Sequence, residues 1–146
     1  MAIAVESLGK YMTPSPLSIN KDVKLVDAMR LMRQHAIRHL PVVDGAQVVG
    51  ILSERDIHFA RSLRTVDPQG LRVEDAMTPN PVTYPPEAPL REVAFLMANS
   101  RAGSAVIIDK GRLVGIFTTV DALRVLAVLL IQLEGHRKTD AANDKR

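Results

Sequence analysis

Apolar residues recur along this chain with two periods. Leu25, Ala28, Met29 and Met32 stand at i, i+3, i+4 and i+7, one face of a helix, and Leu90, Val93, Ala94 and Met97 repeat the pattern further on. After each come two short apolar runs. Leu40-Pro41-Val42-Val43 precedes Val48-Val49-Gly50-Ile51-Leu52, and Ala105-Val106-Ile107-Ile108 precedes Leu113-Val114-Gly115-Ile116-Phe117. A short loop bearing Gly45 or Gly111 separates the runs, which predicts a hairpin. Residues suited to a strand stand before each helix, Leu17-Ser18-Ile19 and Val82-Thr83-Tyr84, and another helix is expected to start near Ser53 or Thr118. The pattern therefore spells β-α-β-β-α twice, with residues 64–72 as the link.

The two units align without a gap, residues 12–57 returning at 77–122. Met12-Thr13-Pro14-Ser15-Pro16 returns as Met77-Thr78-Pro79-Asn80-Pro81, and Gly50 to Asp56 (GILSERD) as Gly115 to Asp121 (GIFTTVD). The prolines disfavour helix and force each unit to open in extended conformation. Pro89 suits a first helical turn, where its missing N–H has no intrahelical partner to lose. A duplication this regular predicts an internal two-fold arrangement with a pair of related clefts.

The boundaries expected are 8–65 for the first repeat and 73–130 for the second, with 131–146 as a helix end and a polar, flexible tail. From Ala122 to Leu133 only Arg124 and Gln132 interrupt the apolar residues. That run falls short of the roughly 20 residues a bilayer crossing needs, so no membrane span is expected. A helix apolar on most faces must be covered, either inside its own chain or at a subunit interface.

Composition narrows the function. Of 146 residues 47% are apolar, which excludes disorder of the main body. Cysteine is absent, so disulfides and thiolate metal sites are excluded. That absence, with no apolar leader opening the chain, leads us to expect a cytoplasmic protein. The net charge is +3 and the pI about 9.5, but five aromatic residues and no Trp make a nucleic-acid surface unexpected. The four histidines have no metal-ligand spacing, and G-x-S-x-G, P-loop and G-x-G-x-x-G patterns are missing. Asp44 and Asp109 read as hairpin-turn residues, not as an acid–base pair. No catalytic residue, catalytic cofactor or metal is expected.

The Met-Thr-Pro opening, the Pro41-Val42-Val43-Asp44 strand (Val106-Ile107-Ile108-Asp109 in the second copy) and the Gly-x-x-Ser/Thr-x-x-Asp ending together resemble a tandem pair of CBS domains, a Bateman module. The resemblance runs from about residue 8 to 126. It implies an α+β fold in which two β-α-β-β-α repeats pack sheet to sheet about a pseudo-two-fold axis. It also implies clefts for adenosine-type ligands (AMP, ADP or ATP, with S-adenosylmethionine or NAD-type molecules as further members), a homodimer, and signalling to a protein target.

The Ser/Thr-x-x-Asp spacing suits a ribose-phosphate reader. A hydroxyl and unpaired N–H groups at a helix start meet phosphate, and an ionised Asp one turn on accepts from vicinal ribose hydroxyls. Ser53 and Asp56 are the candidates for one cleft, Thr118 and Asp121 for the other; the same spacing also makes a helix cap. The resemblance points to Arg38 and His39 as anion contacts. Arg55 either reaches across the axis or makes an ion pair. The second copy has Gly103, Ser104 and Val120 at those three positions, so the clefts are not expected to be equivalent. The base is expected against the opening segments, around Leu17, Ile19 and Asn20 and around Val82, Tyr84 and Pro85, read by backbone groups, with Tyr84 either stacking on it or packing in the body of the protein. The rival reading is a non-catalytic interaction module that docks through its apolar last helix.

Overall fold

The computed structural model describes residues 6–144. Its elements are α1 (Leu8–Tyr11), β1 (Thr13–Pro14), β2 (Ile19–Asn20), α2 (Leu25–His35), β3 (His39–Asp44), β4 (Gln47–Ser53) and α3 (Glu54–Ser62), then α4 (Val73–Ala76), β5 (Thr78–Pro79), β6 (Thr83–Tyr84), α5 (Leu90–Ser100), β7 (Ser104–Asp109), β8 (Arg112–Thr118) and α6 (Thr119–Asn143). The periodic segments are helices α2 and α5, and Leu25, Ala28 and Met32 or Leu90, Val93 and Met97 form their buried faces. Asp27 in the first turn of α2, and Arg33 and His35 in its last, complement the helix dipole.

The strands form two four-stranded sheets, ordered β2-β3-β4-β5 and β1-β8-β7-β6. The duplication is exact in register: Ile51 faces Thr78 and Gly50 faces Pro79, while Ile116 faces Thr13 and Gly115 faces Pro14. Even the irregularity in the long hairpins recurs, between Val42 and Val43 and between Ile107 and Ile108. Buried Leu40, Val42, Leu52 and Ile57 centre one core; Ile107 and Phe117 centre the other.

The sequence repeats are not the structural units. Strand β1, which opens the first repeat, pairs with β8 of the second, and β5 pairs with β4 of the first. The short helices follow. Leu8 of α1 is fully buried in the second core, its N–H donating to the Ala88 carbonyl at 2.8 Å. Val73 of α4 is fully buried in the first core, its N–H donating to the Val23 carbonyl at 2.8 Å. Residues 8–14 and 73–79 are thus exchanged between the halves that the boundaries 8–65 and 73–130 would separate.

Two glycines permit the exchange. A Cβ at Gly115 would run into the Met12 sulfur, and one at Gly50 into the Met77 sulfur. The Met of each opening motif therefore lies over the Gly of the other repeat's closing motif.

The segment from residue 131, expected as a helix end followed by a polar, flexible tail, is helical in α6 as far as Asn143. Glu134, Arg137, Lys138, Ala141 and Ala142 are good helix formers, and no proline interrupts them; residues 145–146 lie outside the described residues. Near its start α6 buries Asp121 and packs Ala122 and Val125 on the second core. Beyond that Leu126, Leu130, Ile131 and Leu133 are exposed, so the described residues do not cover this helix. Among the described residues no helix is long and apolar enough to cross a membrane.

Gly50→Ala is expected to lower stability by about 1–3 kcal/mol, measured by urea unfolding. Met77→Ala in that background recovers only part of the loss, because the Thr78 carbonyl oxygen would still lie 3.0 Å from the added carbon.

Candidate functional site

The long hairpin assembles one side of a cleft. Its register sets His39 opposite Ser53, and the Glu54 N–H donates to the Arg38 carbonyl at 2.8 Å. The strand therefore ends, and α3 begins, beside Arg38 and His39. Ser53 is extended (φ −105°, ψ 158°) and caps the helix. The Asp56 N–H donates to Ser53 Oγ at 3.1 Å, and the Ser53 N–H donates to Asp56 Oδ2 at 2.8 Å. Both residues serve as a reciprocal cap, which occupies one carboxylate oxygen and leaves Oδ1 without a protein donor among the described residues.

The exchanged strand supplies the opposite wall. Because β5 pairs antiparallel with β4, Thr78 lies beside Ile51 and the chain continues from there to Asn80, Val82 and Tyr84, all of which line the cleft. The loop after α5 closes it with Ser100, Arg101 and Gly103. The resulting space is about 590 Å³, and both halves line it. Volumes of this size hold small organic ligands.

Seven residues expected at a site meet here: Arg38, His39, Ser53, Arg55, Asp56, Val82 and Tyr84. The others do not. Ile19 is buried in the first core with its backbone paired to Val42. The Asn20 side chain accepts from the Asp22 N–H at 2.9 Å, forming a local turn. Leu17 and Pro85 are exposed and lie outside this cleft, and Thr118 and Asp121 sit at the pseudo-symmetric position. Tyr84 also packs on the second core.

The cleft holds residues that the sequence reading passed over. Thr78 and Asn80 belong to the opening motif, but nothing in a linear alignment says that this motif crosses to the other half. Arg101 does leave a trace: it replaces Ala36 of the first copy at the left-handed residue ending the helix, with φ 57° against 51°.

Charge distinguishes the two sides. Arg38 Nε is 4.0 Å from Glu54 Oε2 in an exposed, weak pair. Arg55 and Arg101 make no ion pair among the described residues. Burial holds the His39 imidazole below its ordinary pKa; Asp56 opposes the shift and Arg38 adds to it. His39 also reaches the other half, for a Cβ at Gly103 would lie 2.8 Å from His39 Nε2.

On the pseudo-symmetric side Asp121 is 8% exposed. Its Oδ2 accepts from the Thr118 N–H at 2.9 Å and the Thr118 hydroxyl at 3.2 Å. Its Oδ1 lies 3.5 Å from the Thr13 hydroxyl and 3.6 Å from an Arg124 nitrogen. This carboxylate is engaged on both oxygens.

The family model described as the CBS domain matches residues 5–62 and again 73–128. Inosine-5'-monophosphate dehydrogenase of Korarchaeum cryptofilum is 33% identical over 122 residues, which are 83% of this chain but only 24% of that enzyme. A CBS domain-containing protein of Dictyostelium discoideum is 31% identical over 141 residues, 89% of this chain and 95% of its own length. Among solved structures, the CBS domain pair of protein MJ0100, in complex with 5'-methylthioadenosine and S-adenosyl-L-methionine, superposes with a TM-score of 0.75 at 26% identity, covering 84% of this chain and 97% of the other. The duplicated motifs, their exchanged strands and the double match agree: the chain belongs to the CBS domain family and carries a pair of these domains.

Proposed function

We propose that this chain is a regulatory module that binds an adenosine-type ligand in the cleft between Ser53–Asp56 and Thr78–Tyr84, and passes the occupancy on by a change in the angle between its halves or between subunits. One observation carries the reading: a cleft of about 590 Å³ in which a carboxylate with an uncommitted oxygen, a helix start and cations from both repeats converge. In this arrangement the ribose hydroxyls donate to Asp56 Oδ1. The base lies against Val82, Tyr84 and Val106, where backbone groups read its edge. The phosphates lie toward Arg38, His39 and Arg55 at the start of α3. The ligands bound by the related MJ0100 pair are adenosine derivatives, which supports the choice among nucleosides.

A ligand touching both halves shifts their relative position by its differential affinity for the two states. The surface that reads the shift is α6. Leu123, Leu126, Leu130 and Leu133 are exposed and stand alternately three and four residues apart, a seam suited to a second helix. A homodimer through this seam is the primary reading. The rival, a protein target docked on the same leucines with the clefts idle, draws on the same exposure.

Three outcomes follow. Asp56→Asn keeps an acceptor for the Ser53 N–H and loses the charge; it should weaken 5'-methylthioadenosine about tenfold by calorimetry. The idle-cleft rival instead expects no adenosine ligand to bind the wild type. Leu126→Glu with Leu130→Glu should convert a dimer to monomers by light scattering while the circular dichroism spectrum is kept.

The third outcome concerns pH. His39 has a lowered pKa in the folded chain, so its contribution to stability is intact above the ordinary imidazole value of about 6.5. It is lost as pH falls from there through the folded value. A bound phosphate favours the imidazolium, so binding takes up a proton. The affinity for AMP should rise from pH 8 to pH 6 more steeply in the wild type than in His39→Gln, measured by calorimetry in buffers of different ionisation enthalpy.

A further inference from the structure

We propose that each chain takes a single phosphate-bearing adenosine ligand, in the Ser53–Asp56 cleft, and that Arg101 from the second repeat makes that site prefer a di- or triphosphate to a monophosphate. This rests on the adenosine reading above and adds to it the number of sites and the charge class.

The backbone is two-fold symmetric but its guanidinium groups are not. Arg38 and Arg55 come to the cleft from the first repeat and Arg101 from the second. Their counterparts across the axis are Gly103, Val120 and Ala36. A guanidinium offers a planar fork that matches one phosphate at a time. Two such groups with His39 suffice for one phosphate, and the third, contributed by the loop after α5 of the second repeat, is available to the next. Asp56 is directed to the Ser53 N–H and the ribose, and Glu54 is the other carboxylate in the lining.

The fold does not need the Arg101 side chain. Its left-handed backbone is shared with Ala36, where nothing extends beyond Cβ, and that conformation favours glycine over either residue. An arginine there accepts a backbone penalty that its side chain does not recover through any ion pair among the described residues.

The symmetric position is closed to the same chemistry for a steric reason. The place equivalent to Arg38 is Gly103, and His39 occupies the space a side chain would take. The histidine that serves the first cleft thereby keeps a cation out of the second. Asp121 is 8% exposed and its Oδ1 already faces the Thr13 hydroxyl at 3.5 Å and an Arg124 nitrogen at 3.6 Å, so this carboxylate is less open to a ribose than Asp56.

The test is calorimetry of the full chain, without divalent cation, against ATP, ADP, AMP and 5'-methylthioadenosine, for the wild type and Arg101→Gly. The wild type should bind one nucleotide per chain, with ATP and ADP about tenfold or more tighter than AMP. Arg101→Gly should lose that advantage, with AMP and 5'-methylthioadenosine changing by less than about threefold. Its melting temperature should stay level or rise, because glycine suits the left-handed position. Two nucleotides per chain, AMP binding as tightly as ATP, or equal losses for ATP and 5'-methylthioadenosine in the variant would each overturn the proposal and leave the adenosine reading standing. Failure of all four ligands to bind the wild type would overturn both.

Discussion

The contact on which the rest of the structure depends is that between the methionine of each opening motif and the glycine of the opposite closing motif. Met12 lies over Gly115 and Met77 over Gly50. With a larger residue at the glycine, the methionine side chain would have to move for the opening strand to settle against the long hairpin at this spacing. The strand pairing, the burial of Leu8 and Val73, and the path of the chain into the cleft all follow from it. Neither repeat has a complete sheet or core of its own. Stability and the geometry of the cleft are therefore one property, because the same exchanged segment supplies the fourth strand and one wall of the site.

Symmetry of backbone with asymmetry of side chains gives the molecule direction. The two helix starts carry the same reciprocal cap, and in isolation they would be interchangeable. They differ in what surrounds the second carboxylate oxygen. At Asp56 it faces the shared cleft; at Asp121 it meets Thr13 and Arg124. His39 couples the two sides by filling the space over Gly103. A single imidazole thus belongs to one site and shapes the other. A ligand in the first cleft would rest on both halves, which is the condition for occupancy to alter their mutual position.

Helix α6 extends the same logic outward. It begins as the cap of the second pseudo-symmetric site and leaves the body as an apolar rod. A continuous helix is stiff on the scale of a few turns, so a displacement at Thr118 would be carried along it to Leu130 and Leu133. Exposed leucine in such a run is unfavourable in water, and association is the ordinary way to relieve it.

The chain, taken by itself, determined the local elements and their duplication. Period-3.6 faces made α2 and α5, paired apolar runs made the hairpins, and the Ser/Thr-x-x-Asp spacing marked the two caps, all of which depend on neighbours within a few residues. Ser53 and Asp56 were legible from their spacing and Arg38 and His39 from the family resemblance, and one hairpin register brings them together with Arg55. Only the tertiary structure decided which opening segment faces which cap. Thr78 and Asn80 reach the first cleft through strand exchange, Arg101 reaches it from the loop after α5 of the second half, and Ile19 is drawn into a core. Exchange joins two nearly identical edges, β4 and β8, so an alignment by repeat is blind to it: a Met-Thr-Pro segment would meet a Gly-Ile edge whether or not it crossed, and only the arrangement of the two halves in space tells the pairings apart.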